Sequence, residues 1–174
     1  MMFWRGVVGA ALAVLLSSCA SDRTGTDYLA MSQKIGPPRP GQSRIVVMSE
    51  KAMGLGAAVC DVAIDGSAVG KVKAGTYVYA DRPAGKHQMV ATQTLFPGDT
   101  KRDITTEPGR TYFFQVKNSE RANTVTGFAL MGGIAGALVA SAATSGKDNP
   151  GPVDFIPLDE ATARTTLASL QLAD

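Results

Sequence analysis

From residue 43 to residue 117, turn signals recur so closely that only short strands fit between them. Arg44-Ile45-Val46-Val47-Met48 is apolar and rich in β-branched residues. In residues 59–64, Val59, Asp61 and Ala63 fall on one face and Cys60, Val62 and Ile64 on the other. Asp65-Gly66 follows, a pair suited to a tight hairpin because glycine tolerates positive φ. It leads into residues 68–72, and Gly75 opens Thr76-Tyr77-Val78-Tyr79-Ala80. Pro83-Ala84-Gly85-Lys86 turns into residues 87–94, Pro97-Gly98-Asp99 into 102–106, and Pro108-Gly109 into 111–116. The expectation is a mainly β chain, a small antiparallel β-sandwich of about seven strands over residues 43–117. No strand–helix–strand rhythm points to a parallel sheet.

Residues 122–146 break the pattern, with 25 positions and no charge. Gly132, Gly136 and Ala140 recur every fourth residue, as do Gly133, Ala137 and Ser141. On a helix each series is a smooth face that lets another backbone approach closely. A Gly/Ala-rich apolar helix is therefore expected, with Gly132, Gly133, Gly136 and Ala140 as packing positions. It either lies on the sandwich, alone or as a helical hairpin, or inserts in a membrane or self-associates through residues 124–146. Lys147 to Pro152 end it. Residues 147–174 are then a linker and a short C-terminal helix, with Pro157 at its first position and Asp159 and Glu160 at its positive end.

The N-terminus carries one positive side chain, Arg5, then eleven uncharged residues from Gly6 to Leu16. That run suits a signal-peptide core of ~7–15 residues and falls short of the ~20 that span a bilayer. Leu16-Ser17-Ser18-Cys19 follows and resembles the bacterial lipobox: an apolar residue, two small ones, then the cysteine that takes the lipid. Residues 1–18 are expected to be a cleaved signal peptide. Cys19 becomes the lipidated first residue, and 19–42, rich in Ser, Thr, Gly and Pro, a tether with a short helical turn around residues 28–35. Two or more acyl chains, such as palmitate, hold a protein stably on a membrane where one does not. In lipoproteins of this kind an Asp directly after the cysteine retains the protein in the inner membrane. Here Ala20 stands in that place, so the outer membrane, on its periplasmic face, is the expected location.

Composition then excludes classes. Lys and Arg number 17 against 15 acidic residues, without a basic run or basic–aromatic interleaving, so nucleic acid is not an expected partner. Once Cys19 is lipidated only Cys60 is left, so no disulfide scaffold forms. The chain has one histidine, His87, read as a surface strand residue. Asp61 and Asp65, like Asp99 and Asp103, are spaced for turns rather than for a glycosidase pair. No catalytic residue, metal ligand or cofactor is assigned.

Val62-Ala63-Ile64-Asp65-Gly66, Val69-Gly70, Gly75-Thr76-Tyr77-Val78-Tyr79, Asp81-Arg82-Pro83-Ala84-Gly85-Lys86-His87 and Glu107-Pro108-Gly109-Arg110-Thr111-Tyr112 together resemble an uncharacterised group of bacterial lipoproteins. These carry a PEGA-like β-sandwich of the DUF2846 type. The resemblance covers roughly residues 36–117. It implies a small β-sandwich and an envelope location, with no known activity and no catalytic residues to carry over. The expectation is a lipid-anchored, non-enzymatic envelope lipoprotein whose sandwich binds a protein or glycan neighbour or serves as structure. A glycine-zipper assembling protein is the alternative, and a glycan-processing enzyme a distant one.

Overall fold

The computed structural model describes residues 27–51, 58–144, 146 and 149–173. Within them the chain is mainly β, two facing sheets with three helical segments. Helix α1 (Tyr28–Ile35) precedes β1 (Gln42–Ser49), β2 (Cys60–Ile64), β3 (Ser67–Val72), β4 (Thr76–Pro83), β5 (Gly85–Thr92), β6 (Thr100–Thr106) and β7 (Thr111–Asn118). Helical segment α2 (Glu120–Ala143), β8 (Val153–Leu158), α3 (Glu160–Leu167) and the two-residue β9 (Gln171–Leu172) complete it. The larger sheet has the order β8-β7-β1-β4-β9 and the smaller β3-β2-β5-β6.

All seven strands expected between 43 and 117 form, and the turns between them take the conformations their residues favour. Asp65 and Gly66 both have positive φ (53° and 75°), as a two-residue hairpin requires. The smaller sheet is antiparallel throughout. The larger one is mixed: β1 runs antiparallel to β4 but parallel to β7. The parallel pair arises because β1 and β7 lie far apart in sequence, with the whole smaller sheet folded between them as the crossover.

Strand β1 is the centre of the molecule, buried on both faces, which is why residues 44–48 read as a continuous apolar run rather than an alternation. Ile45 and Val47 face the smaller sheet and meet Cys60, Val62, Ile64, Met89, Phe114 and Phe155. Val46 and Met48 face the other way and meet Tyr77, Phe113, Tyr28, Met31 and Leu167. This second core is roofed by α1 and α3. Tyr28 stands edge-on to the rings of Tyr77 and Phe113, at 5.7 and 6.1 Å. Helix α1, capped by Asp27 accepting from the Ala30 amide, thus belongs to the folded body although it falls within the stretch expected over 19–42 to be tether. Arg44, 3% exposed, fastens α1 to β1: its guanidinium holds Asp81 through two bonds of 2.7 and 2.8 Å and donates to the Gly36 carbonyl at 2.8 Å.

The C-terminal third differs from expectation. Residues 153–158 form a strand, β8, with Val153 and Phe155 turned inward. Pro157 lies in that strand and does not start the helix. The site tolerates a proline because β8 is the edge of its sheet. The helix begins two residues later, where Asp159 accepts from the amide and hydroxyl of Thr162 at 2.9 and 2.7 Å.

Candidate functional site

The feature that packing does not account for is α2. It starts where β7 ends. Ser119 caps it, accepting from the Ala122 amide at 3.0 Å and donating to the Gly151 carbonyl at 2.7 Å. The segment is 24 residues long, enough by length and composition alone to cross a membrane. It is not one helix. Gly133 has φ 60° and ψ −150°, a conformation that side chains beyond glycine do not take without strain, and there the chain turns back on itself. Two antiparallel arms result. Gly136 of the second arm lies so close against the first that a Cβ there would collide with the Phe128 carbonyl oxygen.

The hairpin is clasped at its base by Arg121, which is 4% exposed. Its guanidinium donates from the first arm to the Ser141 carbonyl (3.3 Å), the Ser141 hydroxyl (3.1 Å) and the Thr144 hydroxyl (3.1 Å) of the second. It also donates to the carbonyls of Pro97 and Pro150, and lies over the Phe96 ring at 5.0 Å. One side chain therefore ties together both arms, the β5–β6 loop and the segment ahead of β8. Thr144 closes the second arm by donating to the Ala140 carbonyl at 2.7 Å.

Beyond this base the hairpin leaves the protein. Within α2 only Arg121, Ala122 and Ala140 are buried. Met131 is 93% exposed and Ile134 83%, and Phe128, Leu130, Leu138 and Val139 are exposed as well. Withdrawing six such side chains from water would be favourable by on the order of 10 kcal/mol. A polar, clasped base and an apolar tip follow each other along about 20 Å of helix in the first arm and about 15 Å in the second. The four packing positions expected from the sequence take different places. Gly136 packs arm on arm, Ala140 is buried at the base, Gly133 makes the turn, and Gly132 beside it has open space where a side chain would stand. The helical hairpin, one of the forms expected over 122–146, is thus the form taken, and its two arms project from the sandwich instead of lying on it.

The pairing register fixes which end of the sandwich carries the hairpin. Thr76 pairs with Ser49 of β1, and β7 runs parallel to β1, so Asn118 comes out on the same side. Thr76 also pairs with Gln171, and Gln171 with Asp27. Asp27, the first described residue, therefore stands at the hairpin end. So does Leu95, fully exposed on the loop that Arg121 holds. Cys19 lies outside the described residues.

The opposite end holds the only grouping of titratable side chains that a catalytic reading would single out among the described residues. His87 is buried, not a surface residue. Its Nδ1 is 2.6 Å from Asp65 Oδ2 and its Nε2 2.7 Å from the Pro83 carbonyl. Asp65 Oδ1 also accepts from the Gln88 amide at 2.9 Å. That bond first, and the His87 ring second, hold the Asp65 carboxyl below the usual carboxylate range. Sequence reading missed the pair, although the Asp65-Gly66 turn between β2 and β3 was visible. Both ring nitrogens are spent on acceptors, so the arrangement staples two turns. Asp61 instead pairs with Lys71 at 3.4 Å, and Asp103 accepts from Gln88 at 3.1 Å, so neither aspartate pair converges.

A cleft of about 600 Å³ opens between the edge strands β6 and β8, lined by Asp99, Arg102, Asn149 and Phe155 among others. Two of its polar side chains serve closure of the sandwich. Arg102 donates to the Phe155 carbonyl at 2.7 Å and lies over Phe114, and Asn149 donates to the Val153 carbonyl at 2.8 Å. Cys60 is a free, buried thiol, pushed up to about 12 by desolvation and then by the neighbouring Asp61. Among the described residues no three His, Cys, Asp or Glu side chains gather as metal ligands would.

Residues 39–128 match the model of a family described as "Protein of unknown function (DUF2846)". The matched stretch runs from the loop before β1 to the middle of the first hairpin arm, and leaves out β8, α3 and β9. No curated protein matches the chain.

Proposed function

Because the chain belongs to the DUF2846 family, whose description assigns no activity, its function has to be argued from its own residues, and we propose that it is a lipid-anchored, non-enzymatic module of the bacterial cell envelope. Lipid on Cys19 holds it to the outer membrane, and the β-sandwich is the part displayed to a protein or glycan neighbour. The observation that carries this reading is the position of Asp27. The chain leads back from there to Leu16-Ser17-Ser18-Cys19 over eight residues, a reach of at most about 28 Å. It does so from the end that bears the apolar hairpin, so the lipid and the one large apolar projection belong to the same side. The far-end turns are left pointing away from that side, free for a partner.

The reading is tested on the protein purified from envelopes of cells expressing the full chain. Intact mass should show loss of residues 1–18 and two or three acyl chains on Cys19. A mature N-terminus elsewhere, with no acyl mass, would overturn it. Sorting gives a second check. Ala20→Asp should move the protein from the outer-membrane to the inner-membrane fraction on a density gradient.

A further inference from the structure

We propose that the α2 hairpin is a second, shallow membrane anchor, which seats its tip at the headgroup–acyl boundary of the leaflet that holds the lipid. The inference rests on the lipid attachment proposed above for its choice of leaflet, and its test is read out separately from lipidation.

Four observations converge on a bilayer as the occupant. The tip side chains Leu130, Met131 and Ile134 are 70%, 93% and 83% exposed, while the base is buried and hydrogen-bonded, so apolar exposure rises in one direction along the hairpin. No charge interrupts residues 122–146. Asp27, from which the chain runs back to the lipobox, shares the hairpin end through the Thr76–Gln171–Asp27 pairing. Leu95, fully exposed on the loop that Arg121 holds, stands on that end too.

The geometry also sets the depth. From Val125 to the turn each arm rises about 12 Å, less than half of a hydrocarbon core of about 30 Å, so the folded hairpin cannot span. The turn at Gly133 interrupts the helical hydrogen-bond ladder, and backbone groups freed there need water or headgroup partners. Deep insertion is therefore unfavourable. The boundary region, about 5–10 Å into the interface, accommodates both the apolar side chains and the broken ladder. A second copy packing on the small-residue face is a poorer occupant, because Gly136 is already filled by the first arm of the same chain.

The experiment uses the full chain in a Trp4→Phe background, which removes the one tryptophan in the sequence. Ile134→Trp, and independently Met131→Trp, place a reporter at the tip, where side chains are exposed and folding is least affected. Ala68→Trp places one beside the turn at the far end. The proteins are reconstituted into phosphatidylethanolamine–phosphatidylglycerol vesicles containing phosphatidylcholine brominated either high on the acyl chain or near its end. Tip reporters should shift to the blue and lose most of their emission to the high bromines, less to the deep ones, while the Ala68→Trp reporter keeps its emission. Unquenched tip emission with both lipids overturns the inference. Strongest quenching by the deep bromines overturns the shallow depth, and quenching of Ala68→Trp overturns the orientation. A blue shift without quenching, accompanied by cross-linked dimers, would assign the tip to a second copy instead. Intact mass of the same samples reports lipidation independently, so failure of the lipid reading is distinguishable from failure of this one.

Discussion

At the scale of single residues, two polar side chains hold the two ends of the molecule, Arg121 at the hairpin base and Asp65 at the far turns. Arg121 is the most demanding. Its guanidinium satisfies carbonyls of Pro97, Pro150 and Ser141 that would otherwise lose a partner, and no shorter or less branched donor reaches all three. Arg121→Ala should cost about 3 kcal/mol, since bonds to a charged donor are lost and buried acceptors are stranded. Arg121→Lys should recover only part of it. Urea unfolding measures both, and a change within about 0.5 kcal/mol for Arg121→Ala would mean the clasp is replaceable by water. Asp65 gives a pH-dependent counterpart. Its carboxyl is held below the usual carboxylate range by the Gln88 amide and then by His87. A folded-state value lower than the unfolded one contributes stability above the unfolded pKa, and that stability is lost as pH falls through the folded value. Thermal midpoints followed from neutral into acid solution should therefore fall less steeply for Asp65→Asn than for the parent. Parallel curves would remove Asp65 from the acid response.

Among the elements, the strands between 43 and 117 were legible because each is bounded by residues with a single turn-forming use, such as Asp65-Gly66 and Pro83 to Gly85. What lay beyond reach depends on partners distant in sequence. Val153–Leu158 is a strand because β7 offers an edge to it, and Pro157 in isolation reads as a helix start. Gly133 carried no local mark distinguishing it from Gly132 or Gly136, since its own series with Ala137 and Ser141 repeats as theirs does with Ala140, and only the fold-back separates a turn glycine from a packing one. The difference has a consequence. Gly136→Leu, which on a straight helix would weaken self-association, should here force the two arms apart from within. Amide hydrogen exchange in residues 125–140 should rise several-fold in the isolated detergent-solubilised protein, with the sandwich amides unchanged. Unaltered protection in both arms would show that the hairpin absorbs the side chain by sliding, and would refute tight packing at Gly136.

At the scale of the whole molecule, the two attachments proposed above at one end would do what one cannot. A lipid alone would fix distance only loosely wherever a Gly/Ser-rich segment intervenes, since ten such residues have a root-mean-square span of about 18 Å. A hairpin rising directly from β7, through the cap at Ser119 and the clasp at Arg121, is rigidly joined to the sandwich and transmits its own orientation. If the hairpin seats in the interface, tether length should be irrelevant to the height of the sandwich. Inserting ten Gly/Ser residues after Asp22 should then leave the protein layer thickness, read by neutron reflectometry on a supported bilayer, unchanged. In a Met131→Glu, Ile134→Glu variant the tip is charged and expelled, the lipid alone remains, and the same insertion should move the layer outward by roughly the added span. Equal outward movement in both backgrounds would mean that the lipid is the whole attachment and that the hairpin stands free in the aqueous phase.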